Sequence, residues 1–133
     1  MCRSYSIGLL IEGMEKRTLI IGSSEDPTRY ASLAAGRLRR HKIAFVPLGL
    51  RTGTIEGETI VTGKPDLKDI HTVTLYINPK RQPEYYDYII SLHPKRVIFN
   101  PGTENDDFAQ RLESKGIEAV EGCTLVMIGT GTY

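Results

Sequence analysis

Apolar residues along this chain change their period repeatedly, and each change predicts a switch between strand and helix. "TLIIG" (18–22) is a short continuous apolar run closed by Gly22, the pattern of a strand buried on both faces. "DPTRYASLAAGRLRRHK" (26–42) has helical spacing. Asp26 suits a cap there, Pro27 the first helical position, and Tyr30, Leu33, Ala34 and Leu38 fall on one face. Arg37, Arg39, Arg40 and Lys42 crowd its last turn, where the helix dipole favours cations, and read as a solvated helix end. "IAFVPLG" (43–49) predicts a second buried strand, closed by Pro47 and Gly49.

The glycine-rich run 53–67 predicts an irregular crossover with one short extended piece and a helical turn near Leu67. "TVTLYIN" (72–78), β-branched and aromatic, is the third strand. "PEYYDYIISLH" (83–93) puts Tyr85, Tyr88, Ile89 and Leu92 on one helical face. "RVIFN" (96–100) is the fourth strand. In the helix that follows, Thr103 is the expected cap, Asp106 stands in the capping-box position and Gly116 is the stop. "IEAVEG" and "TLVMI" then predict a short fifth strand and a final apolar one, or one strand interrupted around Cys123.

Such alternation predicts an α/β fold: a Rossmann-like, doubly wound, mainly parallel sheet of about five strands with helices on both faces. Right-handed crossovers bring the C-terminal ends of the strands to one rim, where such sheets bind ligands. The loops 22–30, 78–83 and 100–105 should therefore meet.

Length sharpens this to one domain, because 133 residues support one core and not two. The domain is expected over 16–133, after a tail at 1–15 of uncertain order in which Met14 is a candidate natural start. The tail's apolar patch, Ile7–Ile11, is too short for a secretory leader. No apolar run reaches the roughly 18 to 20 residues that span a bilayer. With 17 Lys and Arg against 16 Asp and Glu, nothing global draws the chain to nucleic acid or membrane. Cys2 and Cys123 stand far apart and read as reduced thiols, which with the missing leader predicts a cytoplasmic protein. His41, His71 and His93 are scattered, so no metal site is expected.

The loops carry the chemistry. The turn from Gly22 to Arg29 leads into a helix, whose N-terminus favours an anion; Ser23 and Ser24 add hydroxyls and Arg29 a planar cation. An ordinary capped turn, with Arg29 paired to Glu25 or Asp26, is the alternative. The turn lacks both the Gly-Lys-Ser/Thr of a nucleotide-triphosphate loop and the three glycines of a dinucleotide loop. An NAD site needs an acid about 20 residues further on; the chain has Leu48-Gly49-Leu50-Arg51 there, and Arg51 leaves room for an extra ribose phosphate. Asn78, Lys80 and Arg81 beside Pro79 add cations to the rim. Around Asn100, the acids Glu104, Asp106 and Asp107 disfavour phosphate.

"LIIGSSEDPTRY", "GKPDLKDI", "TLYINPK" and "RVIFNPGTENDDFAQRLESKGIEAVEGCTLVM" together resemble the small stand-alone CoA-binding proteins over residues 17–128. These are single Rossmann-like domains similar to the CoA-binding domain of the succinate–CoA ligase α subunit. The resemblance implies that coenzyme A is the cofactor, bound across the rim. It would set Gly22, Ser23 and Ser24 against the pyrophosphate, with Arg29 and Tyr30 beside them. Val46-Pro47 and Asn78-Pro79-Lys80 would flank the adenosine, with Lys64 a further candidate for its phosphate. Asn100, Pro101, Gly102 and Glu104 would face the pantetheine. The ligases use a phosphorylated histidine on another domain and a partner subunit, neither of which this chain has. A CoA or acyl-CoA binding or regulatory module is therefore expected, possible as a homodimer. The alternative is an enzyme on the same fold, related to acyl-CoA transferases or ligases or linked to NADP. Cys123 is its only candidate thiol and reads as a buried apolar residue.

Overall fold

Strand β1 (Thr18–Ile21) is buried along its whole length because other strands flank it and both its faces are covered. Parallel partners lie on either side, β2 (Phe45–Leu48) and β5 (Thr72–Leu75). The computed structural model describes residues 16–133; the tail at 1–15, Cys2 included, lies outside the described residues. Beyond β5 come β6 (Arg96–Phe99) and β7 (Glu118–Glu121), completing a parallel five-stranded sheet in the order β2-β1-β5-β6-β7.

Period-two alternation divides the core between the two faces of the sheet. Leu19 and Ile21 of β1 pack with Val73, Leu75, Val97 and Phe99 on one face, beneath helices α2 (Tyr86–Ser91) and α3 (Asp106–Ser114). Ile20 and Ile98 point to the other face, beneath α1 (Tyr30–Arg40) and α4 (Thr124–Thr130). The result is a Rossmann-like, doubly wound α/β domain. The chain leaves β1 toward β2, then crosses back past β1 to β5, so strand order reverses between β1 and β5. A crevice opens at their C-terminal ends.

Several elements differ from expectation. Helix α1 starts at Tyr30, not at Pro27, because Asp26 closes a turn first: its Oδ1 accepts from the Thr28 N–H at 2.9 Å and the Thr28 hydroxyl at 2.7 Å. The buried stripe of α1 is Ala31, Ala34, Ala35 and Leu38, whose small side chains let the helix lie close to the sheet. Tyr30 and Leu33 sit beside that stripe, exposed.

Within the crossover, two strands form where one was expected. β3 (Gly53–Ile55) and β4 (Glu58–Ile60) make an antiparallel hairpin. Its two-residue turn, Glu56-Gly57, has positive φ at both positions, as the right-handed twist of a hairpin requires. Past it Val61 bridges Leu48 and covers the outer edge of β2. No helical turn forms at Leu67; the Tyr88 hydroxyl instead holds the extended chain by the Pro65 carbonyl at 2.6 Å.

Segment 82–91 is a 3-10 turn (Gln82–Tyr85) running into α2. Tyr85, Tyr86 and Ile89 fill the core from it, so its apolar face is used within the domain. The cap of α3 is Asn105, whose Oδ1 accepts from the Phe108 N–H at 3.1 Å. Thr103 instead donates its hydroxyl to the Asn100 carbonyl at 2.8 Å.

The largest difference is "TLVMI", which is helix α4 and not a strand. Thr124 and Ile128 are its buried positions, one turn apart, while Val126 faces solvent; a short apolar run reads equally as either element. Cys123 is the half-buried cap position of that helix, not a strand residue in the core.

Candidate functional site

The cleft at the strand-order switch

β1 ends at Gly22, with φ of +103°, a backbone conformation that glycine adopts freely. A Cβ there would also lie 3.1 Å from the Tyr76 backbone at the end of β5. This close approach of the two strand ends brings the turn 22–26 to the crevice. The N–H groups of Gly22 and Ser23 both donate to the Leu48 carbonyl, at 3.0 and 2.9 Å, which ties the turn to β2. Two of the amides expected to face an anion are therefore used internally. Among the described residues, the N–H of Ser24 has no protein partner. The Ser23 hydroxyl donates to the Ile20 carbonyl at 3.1 Å, and the Ser24 hydroxyl accepts from the Asp26 N–H at 3.2 Å.

These residues form one wall of a cleft of about 500 Å³. The other walls are Gly49 to Thr52 after β2, Tyr76 and Ile77 after β5, and Arg81 with Tyr85 from the 3-10 turn. Five charged side chains line it: Glu25, Asp26, Arg29, Arg51 and Arg81. Arg29 lies 3.7 Å from Asp26, and Arg81 4.0 Å from Glu84, both exposed pairs of the kind that contribute little. Among the described residues Arg51 has no ion pair. Hydrogen bonds from the Thr28 hydroxyl and N–H, with Arg29 beside them, hold the Asp26 carboxyl below the usual carboxylate range. It is a charged acceptor, not a proton donor.

Among the described residues no histidine or cysteine lines the cleft. Burial pushes the Tyr76 hydroxyl up to about 12. Among the described residues it makes no hydrogen bond of normal geometry; the Thr74 and Thr124 hydroxyls beside it bond each other at 2.8 Å. Among the described residues no cluster of His, Cys, Asp and Glu suits a metal, and no helix is long and apolar enough to cross a membrane.

Residues 16–129 match the family described as the CoA binding domain. The chain belongs to this family.

The fold is also similar to the crystal structure of an uncharacterized protein, 52% identical, covering 89% of this chain and 98% of that one with a TM-score of 0.87. A Thermus thermophilus structure is 20% identical, covers 98% of both chains and has a TM-score of 0.78. The dinucleotide-forming acetyl-coenzyme A synthetase 1 of Ca. Korarchaeum cryptofilum, in complex with phosphate and ADP, shares the fold at 14% identity and a TM-score of 0.68. It is covered over 27% of its length by 84% of this chain. No curated protein matches the sequence.

Of the residues expected to hold ligand in this CoA-binding domain, Gly22, Ser23, Ser24 and Arg29 line the cleft. Tyr30 stands exposed on α1, outside it. Val46 and Pro47 lie within β2, and the loop after them reaches the cleft instead. Asn78, Pro79 and Lys80 form the turn between Ile77 and Arg81; Asn78 Oδ1 accepts from the Arg81 N–H at 3.2 Å and so shapes the approach of Arg81. Lys64 lines a neighbouring cavity of about 320 Å³ that shares Gly49, Leu50 and Tyr85 with the cleft.

Asn100 is buried. Its Nδ2 donates to Thr74 Oγ1 at 2.7 Å and the Leu75 carbonyl at 2.8 Å, and its Oδ1 accepts from the Thr124 N–H at 2.9 Å. Pro101, Gly102 and Glu104 form an exposed turn closed by the Gly102 N–H on Glu104 Oε1 at 2.9 Å, outside the cleft lining.

The cleft residues that sequence reasoning did not consider for the ligand are Glu25, Asp26, Gly49, Leu50, Thr52, Tyr76, Ile77 and Tyr85. The rule that ligands lie just beyond strand ends points to those after β2 and β5, once the strands are known to stop at Leu48 and Leu75.

Proposed function

We propose that the switch-point cleft binds coenzyme A or an acyl-CoA, and that the protein works as a small binding or regulatory module. The observation that carries this reading is the convergence of Arg29, Arg51 and Arg81 on the glycine turn in one cleft. The pyrophosphate lies by Ser24 and Arg29, where a protein-unpartnered N–H and an exposed cation are available. Arg51 stands where an NAD site would carry an acid, which suits a ligand with an added ribose phosphate. The adjoining cavity by Leu50, Tyr85 and Lys64 offers room for a long arm of the ligand. Binding without turnover fits the lining, in which the Ser23 and Ser24 hydroxyls have no histidine beside them.

Isothermal titration with coenzyme A, dephospho-coenzyme A and NADP tests the reading. Coenzyme A should give the tightest binding. Heat from NADP with none from coenzyme A would overturn it.

A further inference from the structure

Glu25 is an acid in a cleft proposed to take phosphate, and its side chain is already engaged. Its Oε2 accepts from the Thr54 N–H at 3.0 Å, at the start of the hairpin β3–β4. Gly53 lies against the same carboxyl, since a Cβ there would be 2.4 Å from Glu25 Cδ and 2.8 Å from Oε1. The other end of the same loop is equally close to the turn: a Cβ at Gly49 would be 2.2 Å from the Ser23 carbonyl oxygen. Leu50, Arg51 and Thr52, which line the cleft, are therefore suspended between two contacts with the turn 22–26. Behind them the hairpin is fastened to α1, where Arg39 Nη2 donates to the Glu56 carbonyl at 2.8 Å and Glu58 Oε2 at 2.7 Å.

We infer that Glu25 is a positioning residue, clamping the segment Leu50–Thr52 to the glycine turn so that Arg51 faces the cleft. The inference rests on the coenzyme A reading for its ligand and on the Glu25–Thr54 contact for its geometry. Glu25 serves as a hydrogen-bond acceptor for the backbone, and an amide oxygen can replace it in that role.

The test compares wild type, Glu25→Ala, Glu25→Gln and Gly53→Ala, reading amide hydrogen exchange at Thr54 and affinity for coenzyme A. Glu25→Ala should speed Thr54 exchange and weaken binding, each by about tenfold, the scale of one lost charge-assisted hydrogen bond. Glu25→Gln should recover most of both losses. Gly53→Ala, whose methyl displaces the carboxyl, should weaken binding too, and adding it to Glu25→Ala should cost less than the two single losses combined.

Unchanged Thr54 exchange in Glu25→Ala would overturn the clamp. So would tighter binding by both Glu25 variants, the result expected of a merely repulsive charge. Faster exchange with unaltered affinity would overturn the positioning role. Should wild type bind no coenzyme A, the ligand reading fails, while Thr54 exchange still decides whether Glu25 clamps the loop. If Glu25→Ala does not fold, Glu25→Gln and Gly53→Ala carry the comparison.

Discussion

Gly49 and Ser23 approach so closely that a Cβ on Gly49 would lie 2.2 Å from the Ser23 carbonyl oxygen. The obstacle is backbone, fixed by the Gly22 and Ser23 N–H bonds to Leu48, so no side-chain rotation relieves it. Gly49→Ala should destabilise the fold by about 1 to 3 kcal/mol, the range for an overpacked interior. Chemical denaturation checks this; an unfolding midpoint equal to wild type would contradict the close approach.

Asn100 joins β5, β6 and the start of α4 through three hydrogen bonds, all buried. Asn100→Ala leaves the Thr124 N–H and the Leu75 carbonyl without that partner. A loss of about 2 to 4 kcal/mol follows from two or more unsatisfied buried groups. Stability, measured by urea unfolding, should fall while coenzyme A affinity of the still-folded fraction changes little. The reverse pattern would make Asn100 a ligand residue.

Those two residues show what was legible in the sequence. The five strands and their rim follow from apolar runs and glycine stops, signals each segment carries by itself. The turn at Gly22 was readable for the same reason. By contrast, the internal use of Asn100 depends on Thr74 and Thr124, 26 and 24 residues away in sequence. Such a partnership leaves no periodic trace. "TLVMI" failed for a different cause: five apolar residues fit a strand or one helical face, and only its contact with α1 decides. Within the site, Arg51 stands out by its charge, whereas nothing local in the sequence marks the contacts of Gly49 with Ser23 or of Gly53 with Glu25.

Among the described residues the buried Tyr76 hydroxyl makes no hydrogen bond of normal geometry. Tyr76→Phe removes an unsatisfied polar atom and keeps the ring, so stability should be unchanged or rise by up to about 1 kcal/mol. Thermal unfolding reports it. A clear loss of stability would mean that the hydroxyl is satisfied in solution.

His71 sits at the other end of the sheet, before β5, with Nδ1 2.7 Å from the Thr72 hydroxyl. Burial first, then the charges of Arg96, Lys16 and Lys95, hold its pKa below the ordinary value. The folded state thus binds fewer protons than the unfolded chain once pH falls below about 6.5. Its contribution is fully present above that value and lost as pH drops toward the folded-state pKa. Unfolding free energies measured from pH 8 to 5 should decline in wild type, and less steeply in His71→Gln. Equal slopes would show that His71 does not couple to folding.

Arg51 is the cleft arginine without an ion pair among the described residues, so it can meet a phosphate without first leaving a carboxylate. A charge-assisted bond is worth about 1.5 to 3 kcal/mol, which corresponds to roughly ten- to hundredfold in affinity. If Arg51 meets the ribose 3′-phosphate, Arg51→Gln weakens coenzyme A by that factor but leaves dephospho-coenzyme A nearly unaffected. If it meets the pyrophosphate, both ligands weaken alike. Titrating both ligands into wild type and variant separates the two, because the missing phosphate and the missing cation cancel only when they are partners. Raising salt should shrink the difference, since Arg51 is exposed and its field is screened. An effect on neither ligand would remove Arg51 from the site.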